Sequence, residues 1–350
     1  MLDSAGKMKV VADGSAALLK ASLVTVRDLT LDLVKGVLVV VMVVYHAMNM
    51  FTMAGPAEYA YVRFVSGSFI LISGYIVVRF QEAKFTAESH SVSRRLIVRG
   101  LKLLILFTLL NLLINLTGIG NPDKVQPGIQ RYMNTLFEVY VSGEPRYASF
   151  QILLPIAYLL IAAPVFLALR ELRLWLFAAS VAMALASSLS GIESVNLEFM
   201  TLGALGISGG MLTNTLNHSF AVSGRWTIIG GLLVSIALMK FLSANLATYA
   251  LGTMIILKLL YDLGKAVRVD GGLARILVLL GQYSLLCYIA QIIFMQVLYR
   301  GLSRPRWELG YEVAIIVFVT VVFLVLLSAG VAKLRDRYRF AAKAYNLIFL

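Results

Sequence analysis

The chain has 350 residues, 60% of them hydrophobic and only 14% charged, with a mean hydropathy of +0.85. A water-soluble domain of this size has to solvate its surface, so this composition excludes one and points to a polytopic membrane protein. The formal charge of +13 does not argue for a nucleic-acid partner, because basic residues in a membrane protein are first of all topology markers. A single cysteine, Cys287, excludes an intrachain disulfide and a thiolate metal cluster.

Residues 1–32 read as a polar N-terminal tail and pre-helix, with no apolar run ending in a small-residue cleavage site, so no removable signal peptide is expected. From there, apolar stretches of about 20 residues, the length of a membrane-crossing helix, recur across the chain. Ten are expected, near 33–54, 59–79, 97–118, 149–169, 174–191, 197–215, 226–243, 245–262, 275–299 and 311–332. Their length and continuity favour helices over the alternation of a barrel strand. The fold class is therefore all-α, a transmembrane domain over 33–332 followed by a basic tail over 333–350.

With both termini in the cytoplasm, nearly all basic clusters fall on that side, among them "RFQEAKFTAESHSVSRR", "LGKAVRVDGGLAR" and "KLRDRYRFAAK". One loop dissents: "YRGLSRPRWELG" carries Arg300, Arg304 and Arg306 on the opposite side. The segment from about Gly118 to Ala148 is the longest loop, and its composition suggests a partly ordered cap. No internal repeat or second soluble domain is visible.

Ionisable groups inside a span are costly and read first as functional. The first span, "LDLVKGVLVVVMVVYHAMNMF", holds Lys35 and His46. Eleven residues apart, they differ by about 20° in azimuth and about 16 Å in depth on a helix. Met42 and Asn49 share that stripe, and Asp32 lies one turn before Lys35. A desolvated imidazole favours its neutral, proton-accepting form and can serve as a general base. The alternatives are a histidine bonded to a neighbouring helix and a lysine that snorkels to the headgroups.

In the third span, Arg95, Arg99 and Lys102 fall at i, i+4 and i+7 and form one cationic face, with Arg94 adjacent. Headgroup anchoring is one reading of that face. Asn111 and Asn115 could bond a sugar hydroxyl or a neighbouring helix, and Gln291 and Gln296 invite the same two readings. His90 and His218 are expected in loops. No phosphate-binding Gly-Lys loop, His-Glu-x-x-His or Gly-x-Ser-x-Gly elbow occurs, so metal ligation and nucleotide hydrolysis have no support.

Leu31, Asp32, Lys35, Gly36 and His46 together resemble the opening of the transmembrane acyltransferase-3 family: Leu-Asp, two residues, a basic residue, Gly, and a histidine beyond. "FILISGYIV", with Ser73, Gly74 and Tyr75, resembles that family's second helix, and "LGALGISGGML" its Gly-rich helix. "LGQYSLLCYIAQ" resembles its late segment through Leu280, Gly281, Ser284 and Tyr288. The families that acetylate heparan-type glucosaminides or succinylate glucans have a similar layout. Two departures stand out: Arg95 and Arg99 are four apart, where the family usually spaces them by three, and Gln291 stands where the family often has histidine.

The resemblance implies a membrane-bound O-acyltransferase of a bacterial cytoplasmic (inner) membrane. Its donor would be acetyl-CoA or another acyl-CoA, with no metal, and its acceptor a surface or periplasmic glycan or glycolipid. Membrane lipids and a second copy of the chain complete the expected partners. His46 is expected to activate the acceptor or to carry the acyl group transiently, aided by Lys35 and Asp32. Coenzyme A phosphates are expected on Lys35, Arg95, Arg99 and Lys102, because guanidinium forks bind phosphate in bidentate fashion. Asn49, Asn111, Asn115, Tyr288 and Gln291 are expected to face the acceptor. A transporter or flippase of a lipid-linked glycan, and a non-catalytic envelope scaffold, are the rival readings. Against the first, acids fall in loops or near helix ends rather than mid-membrane.

Overall fold

A computed structural model describes residues 28–53, 55, 58, 60–117, 136–143, 149–190, 194–216, 225–242, 245–267, 271–303, 307–308 and 310–349, apart from the side chains of 115–117, 214–216 and 225. The tail before residue 28, His218, Arg304, Arg306 and the Asn115 side chain, all singled out above, lie outside the described residues.

Twelve α-helices follow in chain order among the described residues: α1 (Leu29–Phe51), α2 (Phe64–Ala87), α3 (Ser89–Thr117), α4 (Leu153–Ala168), α5 (Arg173–Ser190), α6 (Val195–Leu216), α7 (Arg225–Leu242), α8 (Leu246–Ala266), α9 (Gly272–Gln282), α10 (Ser284–Gly301), α11 (Tyr311–Arg337) and α12 (Arg339–Phe349). Among the described residues there is no strand, only an isolated parallel bridge between Thr52 and Trp307. Eight helices among the described residues are long and apolar enough to cross a bilayer, whereas the apolar stretches of α4, α7 and α9 are shorter. The chain is an all-α, multi-pass membrane protein.

Each of the ten expected spans falls on a helix, and three corrections follow. The ninth is two helices, α9 and α10, broken at Tyr283 (φ −106°, ψ 23°). The loop expected between the second and third spans is largely helical, with α2 running to Ala87 and α3 starting at Ser89. Gln81, Glu82 and Lys84 lower the local hydropathy but are good helix formers, so the helix outlasts the apolar signal. His90 therefore belongs to the first turn of α3 and not to a loop. Thirdly, residues 339–349 of the expected tail form α12, joined to α11 through the single extended residue Tyr338 (φ −124°, ψ 117°).

α1 is the hub of the bundle and is sharply bounded. Asp28 caps its start, its carboxylate accepting from Thr30 N (3.0 Å) and Leu31 N (3.2 Å). At the other end the chain turns extended at Thr52 and exchanges backbone hydrogen bonds with Trp307, while the Phe51 and Trp307 rings stack at 6.0 Å. In between, Val39, Val43, Ala47 and Phe51 pack with Cys287, Met295 and Tyr299 of α10 and with Val313, Ile316 and Leu324 of α11.

Glycines decide how closely the helices approach. A Cβ on Gly36 would lie 1.8 Å from the Leu277 carbonyl oxygen, and one on Gly281 1.7 Å from that of Asp32. The backbones of α1 and α9 therefore touch, and no larger residue fits either position. A second crossing joins α2 to α6, where Gly74 meets Gly203 O at 2.4 Å and Gly206 meets Leu71 O at 2.2 Å by the same measure. All four motif stretches thus take part in these two close crossings, which fix where the remaining side chains point.

Candidate functional site

At the end of the bundle that carries Lys35, the α1–α9 crossing opens onto a cavity of about 350 Å³. Lys35 from α1, Ser73 from α2, Arg99 and Lys102 from α3, and Ser284 and Tyr288 from α10 contribute to its walls, which are otherwise mainly apolar. The break at Tyr283 turns the chain so that Gln282 and Ser284, on either side of it, both reach the cavity. A second cavity of about 570 Å³ adjoins it, sharing Gln81, Leu96, Arg99 and Lys102 and adding His90, Arg94 and Arg95. One side of the passage is strongly cationic, and the inner end is greasy and aromatic.

Lys35 has two engagements. Its Nζ pairs with Asp32 Oδ1 at 2.7 Å, and the same side chain lines the cavity. The Asp32 side chain is only 5% exposed, so a lysine one turn on neutralises a carboxylate that burial would otherwise make expensive. Asp32 is a holder of Lys35 and a backbone partner of Gly281; it is not among the cavity walls.

His46 is half-buried, and its ring lies 5.4 Å from Tyr45 and 6.4 Å from Tyr288 by centroids. It is not itself among the cavity walls, and Tyr288 is the contact that links it to them. Met42 is buried on the same stripe, and Asn49 is half-buried further along it. Of the two ionisable residues on the α1 stripe, only Lys35 borders the cavity, and His46 is connected to it through Tyr288 of α10.

Tyr288 is held from another direction as well. The Phe150 ring packs on it edge-on at 6.3 Å, and Phe150 has φ of +60°, a conformation that costs a non-glycine residue about 1–2 kcal/mol. The neighbouring Ser149 explains how that is sustained. Its N–H donates to Asn111 Oδ1 (2.7 Å), and its carbonyl accepts from Asn111 Nδ2 (3.1 Å), which also donates to Phe107 O (2.9 Å). Asn111, expected to face the acceptor, thus has both ends of its amide committed to backbone. It is a clamp on the Tyr288 neighbourhood.

The other amides divide. Gln296 donates to Ser149 Oγ at 3.4 Å. Gln291, one turn beyond Tyr288 on α10, is 1% exposed, and neither Nε2 nor Oε1 finds a hydrogen-bond partner among the described residues. An unsatisfied buried amide costs on the order of 1–3 kcal/mol, so this one stands out from the amides bonded within the protein.

The cationic face of α3 is also subdivided. Arg99 and Lys102 line both cavities, whereas Arg95 lines only the second and donates through Nε to Ser91 O at 3.3 Å. Hydropathy and charge did not flag the polar wall residues Ser73, Gln81 and Gln282, nor Tyr345, Ile348 and Phe349 of α12, which complete the cavity wall. The only signal for α12 was apolar residues at helical spacing in a segment otherwise read as a basic tail.

A family model described as an acyltransferase domain matches residues 28–332, from the cap of α1 into α11. No curated protein and no solved structure matches the chain. The matched span contains both glycine crossings, the cavity walls other than α12, and His46, and on it the chain belongs to the acyltransferase-3 family.

Proposed function

We propose that the protein transfers an acyl group, acetyl in the first instance, from acyl-CoA to a hydroxyl of a surface or periplasmic glycan or glycolipid. The observation that carries this reading is the passage of mixed chemistry. Arg99 and Lys102 border both cavities, Lys35 sits on the inner wall, and Tyr288 touches the His46 ring. Such a passage suits a donor with a polyanionic end and a neutral, thioester-bearing arm. Guanidinium and ammonium groups bind the phosphates, and the apolar walls accept the arm. By the positive-inside rule the basic end faces the cytoplasm, where acyl-CoA is made.

In this reading His46 takes the proton of the acceptor hydroxyl as the oxygen attacks the thioester carbonyl. The C–S bond breaks, and coenzyme A leaves as the thiol with that proton. Tyr288 orients the imidazole, and Gln291 and Asn49 stand further along the same course for acceptor hydroxyls. A short-lived acyl-histidine reaches the same products in two steps. The compartment is a bacterial cytoplasmic membrane.

The test is release of coenzyme A thiol from acetyl-CoA by the purified chain in proteoliposomes, with a glycan acceptor supplied. Arg99→Ala with Lys102→Ala should raise KM for the donor about tenfold or more while leaving kcat near wild type, the signature of lost uniform binding. Equal KM in both proteins would return those residues to headgroup anchoring.

A further inference from the structure

α12 lies beyond the matched family domain, yet it walls the cavity. Tyr345, Ile348 and Phe349 line the same space as Lys35, Arg99 and Lys102. The helix is short, and none of its residues is fully buried. It is fastened by aromatic and cationic contacts near its end. Tyr345 packs on Tyr283 edge-on at 5.5 Å, Arg335 of α11 lies over the Tyr345 ring at 4.3 Å, and Phe349 stacks on Tyr345 at 4.8 Å with 28° between the planes. Arg335 also donates to Tyr283 Oη at 3.1 Å. The break between α9 and α10 and the C-terminal helix therefore brace one another, and the resulting stack ends on Phe349, a half-buried ring on the cavity wall.

A stacked aromatic ledge beside lysine and arginine side chains is what a nucleotide with a purine base fits. The base adds a layer to the stack, and the charges take its phosphates. We propose that α12 supplies the adenine subsite of the donor site, with Phe349 as the stacking surface and Tyr345 and Arg335 as its support. This rests on the acyl-CoA reading above. It assigns the part of the donor that the phosphates and the thioester do not. Ile348 widens the apolar edge of the ledge, while Phe340 and Leu347, both largely exposed, play no part in it.

The experiment titrates two ligands against the full chain in nanodiscs: coenzyme A and 4′-phosphopantetheine, which has the arm and a phosphate but no adenosine. Phe349→Ala should weaken coenzyme A about tenfold, the loss of one base–aromatic stack, and leave 4′-phosphopantetheine binding unchanged. Phe349→Trp should restore coenzyme A binding, which separates stacking from a packing defect. Equal weakening of both ligands by Phe349→Ala would overturn the assignment and make α12 a closing element of the cavity. Unchanged coenzyme A binding in Phe349→Ala would overturn it outright. A wild-type protein that binds neither ligand would end the acyl-CoA reading and this inference with it.

Discussion

The two ends of the bundle solve opposite problems. At the Lys35 end, polar side chains face open space: Arg99, Lys102 and Lys35 are wall residues of cavities, and of these three only Lys35 is paired with a carboxylate among the described residues. At the Trp307 end, polar side chains are spent on backbone. Asn111 clamps Ser149, and Asn196 Nδ2 reaches the carbonyls of Val139, Tyr140 and Val141 at 3.0–3.3 Å, capping a π-helical turn over Glu138–Ser142. Tyr158 adds a hydrogen bond to Tyr140 O at 2.8 Å. Charge left available is what a site for an anion requires, and amides fully used are what a rigid scaffold requires. His46 and Tyr288 sit between the two regimes.

That contrast predicts different kinds of damage from substitutions at each level. The largest effect belongs to the crossing on which both ends depend. Gly281→Ala should prevent proper assembly or lower stability by about 3 kcal/mol or more, because a Cβ there meets backbone and no flexible side chain can yield. Thermal unfolding and gel filtration in detergent would show it. A Gly281→Ala protein as stable as wild type would mean that the α1–α9 contact is looser than described.

Asn111→Ala comes next. It strands the Ser149 N–H and carbonyl in a buried setting and should cost about 2 kcal/mol. Coenzyme A affinity should stay within about twofold of wild type, since the clamp lies away from the cationic wall. A stable Asn111→Ala protein that loses acceptor use alone would instead favour direct acceptor contact. Arg95→Ala sharpens the comparison at its fine end. Lining only the outer cavity, Arg95 should matter less to donor KM than Arg99, by about two- to threefold at most; donor titrations of the two single variants decide this.

How much of this the sequence exposes depends on how local the cause is. Spans are legible because a bilayer demands about 20 consecutive apolar residues, and the α3 cationic face is legible because i, i+4 and i+7 need only a helix. The stripe carrying Lys35 and His46 is local in the same sense. By contrast, the break at Tyr283 sits beside a backbone contact with α1 that hydropathy cannot register. The two readings of Asn111 could not be told apart because its partner, Ser149, is 38 residues away. α12 was hidden for a third reason: apolar spacing on a short basic helix reads the same whether the helix lies on lipid or covers a cavity. The unpartnered amide of Gln291 could not have been told from that of Asn111 before the packing around each was known.

The central claim is that the imidazole at the end of the passage performs the chemistry while the rest of the bundle delivers its reactants. Its most direct test is single-turnover acyl transfer from labelled acetyl-CoA in proteoliposomes carrying wild type or His46→Ala, matched for melting temperature and for coenzyme A affinity. The account predicts that the variant binds donor normally and transfers at least about 10²-fold more slowly, the usual loss when a general acid or base is removed. A folded His46→Ala protein with full transfer would contradict it and leave His46 as a packing partner of Tyr288.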